Sequence, residues 1–162
     1  MTKIPPLSFT GALRVSTSRT LQFKGRSRRS EYWWTMLVVM IIGHFIWQAF
    51  LLLLIATIPL TVRRLHDIGR SGWWCLGFLL QILFIPVFAF DLMLIWTHPD
   101  YNPAMITQLL FSFKYIIIFF AMLIYNTVML IFLCRDSQPY INEYGESPKY
   151  PETEADIHTD AF

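Results

Sequence analysis

The chain has 162 residues, of which 55% are hydrophobic and 17% aromatic, and its formal net charge is +2. This length suits one domain, but the composition excludes an ordinary soluble domain of that size, because so much apolar surface must face lipid. Cys75 and Cys134 lie far apart in no CxxC pattern, and the four histidines show no ligand spacing. We therefore expect no disulfide framework, no metal site and no cofactor.

The N-terminal part of the chain is polar and basic. Residues 1–20 contain no apolar core of the kind found in a secretory signal, and we expect them to form a flexible or surface-lying arm. In residues 23–34, four basic residues precede Ser30, a plausible N-cap, and Glu31, whose charge suits the first turn of a helix. An aromatic cluster that includes Trp33 follows and is typical of a membrane interface. The segment predicts a helix that begins at a membrane surface.

The first apolar run extends from Trp33 to Val62 and contains no Lys, Arg, Asp or Glu. A helix of this length reaches only about 45 Å, whereas two full crossings need roughly 40 residues. The run is therefore either one tilted span or a hairpin of two short helices that borrows flanking residues. Such a hairpin would extend from about Ser27 to a turn near Gly43 or Gln48 and back to Asp67.

The connector after this run, residues 61–74, concentrates polar groups at the predicted bilayer edge. Ionisable groups in such a place cost free energy unless they anchor, pair or work. Glycines and a Ser-Gly turn signal end the helix there, and two tryptophans begin the next run. The residues concerned are Arg63, Arg64, His66, Asp67, Gly69, Arg70, Ser71, Gly72, Trp73 and Trp74.

Two more apolar runs follow, Trp73–Trp96 and Leu109–Leu133, and a single charged residue interrupts each of them. Both runs meet the requirement of about 20 apolar residues for a span. The interrupting residues, Asp91 and Lys114, lie at similar depth if the two spans are antiparallel, so we expect an intramembrane pair. The polar residues suited to interhelical hydrogen bonds are Gln48, Gln81 and Asn126.

The distribution of Lys and Arg favours one orientation, since positive residues favour the cytoplasmic side of a membrane. Seven lie in residues 1–32, three in 63–72 and two in 134–162, whereas residues 97–108 contain none. A hairpin places the three basic segments on one side, whereas a single span divides them. The distribution therefore favours the hairpin and a cytoplasmic N-terminus. Residues 146–162 are acidic and contain prolines, and we expect a disordered tail.

Three segments resemble the signature segments of the DUF805 family of small bacterial inner-membrane proteins. They are residues 23–34, 63–74 and 142–148, the last of which has Ser147 where the family usually has an acid. The stretch between the first two segments is shorter than is usual in the family, and the stretch after the second holds an extra span. The resemblance implies location and architecture but no reaction, since the family is named for its unknown function. Its motif residues here are Gly25, Glu31, Trp33, His66, Asp67, Gly69, Ser71, Gly72, Trp73, Trp74, Asn142 and Gly145.

In a hairpin the two basic segments are neighbours. Glu31 is then expected to pair with Arg63 or Arg64, and Asp67 lies within helical reach of both arginines. One interpretation is that the arginines anchor the helices to anionic headgroups while the acids fix the packing. Another is a cationic pocket that holds an anionic headgroup or partner with guanidinium forks. The residues predicted to make the anionic contact are Arg26, Arg28, Arg29, Arg63, Arg64 and Arg70.

A third interpretation treats His66 beside Asp67 as an acid–base pair, because His titrates near neutral pH. Adjacent residues on a helix point about 100° apart, so Asp67 is not expected to orient His66. We therefore predict no catalytic residue.

We predict an all-α integral membrane bundle in a bacterial cytoplasmic membrane, with three to four transmembrane segments that include a short first hairpin. Its parts are the arm, residues 1–20, the transmembrane domain, residues 21–145, and the tail, residues 146–162. The predicted role is interaction or structure, through an arginine-rich cytoplasmic face that contacts anionic lipid, a membrane-protein partner or a second copy. No nucleic-acid partner is expected.

Two alternative functions stay open. One is a small transport component that works through Asp91 and Lys114, because intramembrane charges often mark ion paths. The other is an enzyme that acts on lipid through His66 and Asp67.

Overall fold

The computed structural model describes residues 4–81, 84, 89–90, 93 and 105–150, without the side chains of residues 47–51, 105–112 and 114. Within this part of the chain the secondary structure is helical, with one isolated β-bridge and no strand, which confirms the all-α class. The chain divides into two compact units. The first is Met1–Cys75 with Phe132–Phe162, and the second is Leu76–Ile131.

The first helix of unit 1, α1, is Phe9–Ser18. The Ser8 side chain accepts a hydrogen bond from the backbone N–H of Gly11 and caps the helix. Ala12 and Ser16 are buried, and the Phe9 ring meets the edge of the Trp34 ring at 5.4 Å. The segment expected to be an arm therefore contains a capped helix that packs on the helix after it. The proposed division of the chain into arm, domain and tail stays a prediction.

The first apolar run forms two helices, α2 (Arg29–Phe45) and α3 (Trp47–Asp67), which break at Ile46 and pack against each other. The N–H of Ser27 donates to the carbonyl of Arg63 at 3.1 Å, so the start of α2 lies beside the end of α3. The two helices form a hairpin along the expected course, while its crossing of the membrane stays a prediction. The helices gain length by including the flanking polar residues. The 17 residues of α2 nevertheless reach only about 25 Å, which is shorter than the roughly 30 Å thickness of a hydrocarbon core.

The expected N-cap of α2 was wrong. The helix begins at Arg29, and its N-cap, Arg28, makes no side-chain cap hydrogen bond. The hydroxyl of Ser30 instead accepts the N–H of Leu7 at 3.1 Å, which fastens the chain before α1 to α2. Glu31 lies in the first turn as expected.

Helix α3 ends in a Schellman motif built on Gly69. The N–H of Gly69 donates to the carbonyl of His66, and that of Arg70 donates to the carbonyl of Leu65. This geometry needs the positive φ of Gly69, +70°. Gly69 ends the helix as the sequence indicated, whereas Gly72 begins a 3₁₀ helix, Gly72–Cys75, instead of ending one.

Unit 1 contains a cluster of buried hydrophobic residues. Tyr32, Leu60 and Leu133 are buried together, and Met36 packs against them. Charged side chains are buried in the same unit, among them Arg63, Arg64 and Asp67, so polar contacts also help to position it.

Unit 2 contains a helical stretch, residues 76–81, and most of α4 (Met105–Cys134). The amide of Asn126 donates to Gln81 at 3.3 Å, as expected for polar residues between membrane helices. Of the described residues, Tyr115–Cys134 form the one segment long and apolar enough to cross a membrane, with a mean hydropathy of 2.6.

Candidate functional site

Three arginines of the signature segments lie inside unit 1 rather than on its surface. Arg26, Arg63 and Arg64 are at most 5% exposed, and the acids Glu31 and Asp67 are at most 3% exposed. Buried charges are costly unless they are paired and hydrogen-bonded. We call these five residues the arginine network.

Arg26 uses its whole guanidinium group. Its Nε donates to Asp67 Oδ1 at 3.0 Å, and its terminal nitrogens donate to four backbone carbonyls. The carbonyls, at 2.6–3.2 Å, belong to Asp67, Gln138, Tyr140 and Gly145. Because a guanidinium has five N–H donors, these five bonds satisfy it completely. Arg26 thus joins the first signature segment to the other two.

Arg64 binds the end of α4. Its Nε donates to the carbonyl of Leu133 at 3.1 Å, and its terminal nitrogens donate to Asp67 Oδ2 and the carbonyl of Arg135. The last carbonyls of a helix lack intrahelical partners and carry the negative end of its dipole. Arg64 therefore caps α4, and Arg29 adds a bond to the carbonyl of Cys134 at 3.2 Å.

Arg63 binds the turn that follows α1. Its guanidinium donates to the carbonyls of Arg19 and Gln22 and to Glu31 Oε1, the last at 3.2 Å. The expected pairing of Glu31 with Arg63 or Arg64 is thus confirmed for Arg63. The expected pairing of Asp67 along the helix is confirmed for Arg64.

Asp67 is the acid on which the network converges. Besides Arg26 and Arg64, it accepts a hydrogen bond from the hydroxyl of Ser137. Burial raises the pKa of Asp67, while Ser137 and the two arginines act in the opposite direction. Burial likewise raises the pKa of Glu31 against the effect of Arg63. Each carboxylate therefore depends on its arginines to stay ionised.

His66 contacts groups other than Asp67. Its Nδ1 lies 3.2 Å from the carbonyl of Gly25, so Nδ1 carries the proton, and its ring stacks on Tyr144 at 3.7 Å. Burial lowers the pKa of His66, with the Gly25 hydrogen bond opposing. The described bonds of Asp67 go to Arg26, Arg64 and Ser137 and not to the imidazole. The geometry therefore gives the acid–base interpretation no support.

The third signature segment is hydrogen-bonded to the other two. Asn142 and Gly145 form an isolated bridge in a turn, where Gly145 has a φ of +117°. The Asn142 amide donates to the carbonyl of His66 at 2.9 Å, and the Gly145 carbonyl accepts from Arg26. Three segments separated by long stretches of sequence thus meet in one polar cluster.

The six arginines predicted to contact an anion fall into two groups. Arg26, Arg63 and Arg64 direct their donors inward. Arg28 is mostly buried and binds the carbonyl of Ile4 at 2.7 Å, Arg29 pairs at the surface with Asp136 at 3.2 Å, and Arg70 lies over the Phe132 ring. Anion binding by these residues stays a prediction, and the structure does not place all six around one pocket.

The remaining motif residues surround this cluster. Ser71 accepts the N–H of Trp73, which is 80% exposed, and Trp33 is also exposed. The Trp74 ring meets the Phe132 ring at 5.1 Å. The predicted pair of Asp91 with Lys114 lies outside the residues whose side chains the structure describes.

Sequence reasoning missed the residues just after α4. Ser137 binds Asp67, and Gln138 binds Arg26 through its carbonyl. Asp136 pairs with Arg29 and with Lys149. The polar run that directly follows the last apolar run was the available signal.

Comparison with known proteins finds relatives that are named inner membrane proteins. A family model described as "Protein of unknown function (DUF805)" matches residues 41–146. Inner membrane protein YhaI of Escherichia coli (strain K12) is 28% identical over 143 residues, covering 79% of this chain and 86% of YhaI. Inner membrane protein YhaH of the same organism is 32% identical over 80 residues, covering 38% of this chain and 66% of YhaH. No solved structure matches the chain.

Proposed function

The chain belongs to the DUF805 family, and from this premise we propose that it is a multi-pass protein of the bacterial inner membrane with a cytoplasmic N-terminus. Its relatives named inner membrane proteins support the location. The uneven distribution of Lys and Arg supports the orientation. Three to four spans, counting the α2–α3 hairpin, accommodate the apolar runs.

We further propose that its function is structural, as a platform that contacts anionic lipid at the cytoplasmic surface. The observation that carries this proposal is the turn after α1, residues 19–24. Leu21 is 84% exposed and Phe23 is 53% exposed, and the exposed cations Arg19 and Lys24 flank them. Apolar tips between basic residues are typical of segments that lie in the headgroup region of an anionic bilayer.

The arginine network explains how this turn keeps its shape. Arg63 holds the carbonyls of Arg19 and Gln22 from the inside, so the backbone is fixed while the apolar side chains point away from the unit. A fixed turn loses little conformational entropy when it enters the interface. In this proposal the buried arginines position the lipid contact, and the exposed ones make it.

A fluorescence experiment tests the lipid contact. An environment-sensitive probe is attached to Leu21→Cys in a background without Cys75 and Cys134, and the protein is reconstituted with lipids brominated near the headgroup. We expect strong quenching that increases with the fraction of anionic lipid. A matched control is Ile141→Cys, which is 54% exposed but is followed by Asn142 and the acid Glu143.

Two outcomes contradict this proposal. Equal quenching at both positions, whatever the lipid charge, removes the role of the basic residues. A Leu21 probe that resists both lipid and aqueous quenchers lies against protein, which would favour a partner or a second copy instead.

Labelling from the two sides of the membrane tests the topology. Cysteines at His98 and in the tail are expected to react from opposite sides, and cysteines at Gly25 and Arg70 from the same side. A connector that reacts from the side opposite Gly25 refutes the membrane hairpin.

A further inference from the structure

A cleft of about 170 Å³ lies beside the start of α2. None of the residues of the 19–24 turn lines it, so it is a separate feature from the proposed lipid contact. Three of its lining residues are cationic and one is acidic. The lining residues are Ile4, Pro6, Arg28, Arg29, Ser30, Asp136, Ser137 and Lys149.

The helix start in this cleft has no side-chain cap. Arg28 occupies the N-cap position, and no side chain accepts the N–H groups of the first turn from there. Uncapped N–H groups and the positive end of the helix dipole favour an anion. The acid of the first turn, Glu31, directs Oε1 to Arg63.

The cationic side chains add charge to this helix start. Arg28 is only 8% exposed, and among the described residues the carbonyl of Ile4 accepts one of its five donors. Lys149 is 7% exposed and donates to Asp136, and Arg29 lies 3.2 Å from the same carboxylate. An anion in the cleft would therefore meet a mostly buried guanidinium and a mostly buried ammonium group.

Asp136 already supplies one carboxylate at this place. Its side chain is 47% exposed, so it can turn toward solvent. Partial burial raises the pKa of Asp136, but the hydrogen bonds from Lys149 and the Ser137 N–H and the charge of Arg29 outweigh it and hold the pKa below its usual value. Asp136 is thus ionised at neutral pH and acts as an internal counterion.

We propose that this cleft binds a phosphoryl group, with Arg28, Arg29, Lys149 and the first turn of α2 as donors, and that Asp136 competes with the ligand. Guanidinium groups and helix N-termini are the donors that proteins use for phosphate oxygens. The phosphoryl group is either that of an anionic lipid or free phosphate. The inference goes beyond the proposed function, because it concerns a site for one defined group rather than a surface contact.

The test measures binding to the purified full-length protein in detergent, with inorganic phosphate and a short-chain phosphatidic acid as separate probes. Lys149→Ala is expected to weaken binding about tenfold or more, the factor for losing one charge-assisted hydrogen bond. Asp136→Asn is expected to strengthen binding, because it removes the competing charge and keeps the shape. Arg14→Ala removes one exposed cation that does not line the cleft and is expected to leave the affinity unchanged.

The outcomes separate this site from nonspecific attraction and from the proposed function. Weaker binding by Asp136→Asn, or an equal loss with Arg14→Ala, overturns the proposal, as does a wild-type protein that binds neither probe. Binding of phosphatidic acid without phosphate identifies a lipid headgroup as the ligand, and binding of both identifies the phosphoryl group itself. Thermal unfolding of each variant shows that it is folded, and the Leu21 quenching experiment is unaffected by any of these results.

Discussion

The arginine network buries charged side chains, whereas helix α4 exposes apolar ones. In the network, five charged side chains are almost wholly buried. Only 11% of the apolar stretch within Tyr115–Cys134 is buried inside the structure. Such a surface is as apolar as the lipid of a bilayer, which agrees with the inner membrane location of the relatives. In this protein, therefore, charged groups are buried against one another, while apolar side chains cover the surface of the long helix.

The reason lies in what drives helices together in lipid. Apolar side chains gain little by leaving lipid for each other, so packing and hydrogen bonds must supply the attraction. Arg26, Arg63 and Arg64 each bind backbone carbonyls of a different segment. We infer that this network selects one arrangement of the segments more than it adds stability, since buried ion pairs repay a large desolvation cost.

The largest effect is expected from removing a buried arginine. Arg64→Ala should lower the free energy of unfolding by about 3–5 kcal/mol, because a buried acid loses a partner and the end of α4 loses its cap. Arg70→Ala is the control and should cost about 1 kcal/mol or less, since this exposed side chain only lies over Phe132. Unfolding in mixed micelles, followed by tryptophan fluorescence, measures both. Equal losses of unfolding free energy in the two variants would show that a buried arginine contributes no more to stability than an exposed one.

The second largest effect is expected from placing an arginine on the apolar surface of α4. Ile124 is 64% exposed on α4, and Ile124→Arg should raise the free energy of membrane insertion by about 2.5–3.5 kcal/mol. The fraction of protein that resists carbonate extraction from inner-membrane vesicles measures this, with Ile124→Leu as the control. Full integration of the arginine variant would show that this face of α4 does not meet lipid.

Glycine substitutions test how precisely the connectors must turn. Gly25→Ala should cost about 1–2 kcal/mol of unfolding free energy, because its φ of +92° disfavours a side chain while the space around it is open. Gly69→Ala should cost more, because a Cβ there would displace the Gln138 amide, whose Oε1 accepts a hydrogen bond from Asn142. Thermal unfolding of the two variants in detergent gives the difference. A loss of unfolding free energy at Gly69 that is no larger than the loss at Gly25 would show that the Gln138 side chain can move at little cost.

The smallest effect is a pH dependence from His66. Burial lowers its pKa from 6.5, so below about pH 6.5 the unfolded chain takes up a proton that the folded chain resists. Stability should therefore fall as the pH drops from 6.5 to the folded pKa. His66→Asn keeps an N–H donor but does not titrate, so the unfolding midpoint of the wild type should fall relative to that of the variant as the pH is lowered from 8 to 5.5. A constant difference would show that the imidazole pKa is unchanged by folding.

Much of the fold was predictable because its signals are local. The apolar runs, the charge distribution and the glycines indicated the hairpin, and α2 and α3 follow it closely. The pairs Glu31–Arg63 and Arg64–Asp67 followed from the hairpin and from helical spacing. The N-cap at Ser30 was wrong, because a tertiary contact with Leu7 uses its hydroxyl instead.

The candidate site was less predictable. Sequence reasoning assigned all six arginines to an anionic contact because unpaired arginines near a bilayer usually face headgroups. Three of the five acceptors of Arg26 are backbone carbonyls more than 100 residues away, and every residue type carries a carbonyl. Lys149 joined the cleft only because residues after α4 return to the start of α2.

Composition and pattern therefore determined the environment of this protein, the helices and where their polar ends lie, since these depend on neighbours along the chain. The tertiary structure decided which arginines are buried and which stay exposed. That choice depends on where distant carbonyls and acids meet, and a guanidinium becomes internal only where enough acceptors surround it to repay the loss of water. Here Arg26 finds five acceptors, while the exposed Arg29 shares Asp136 with Lys149.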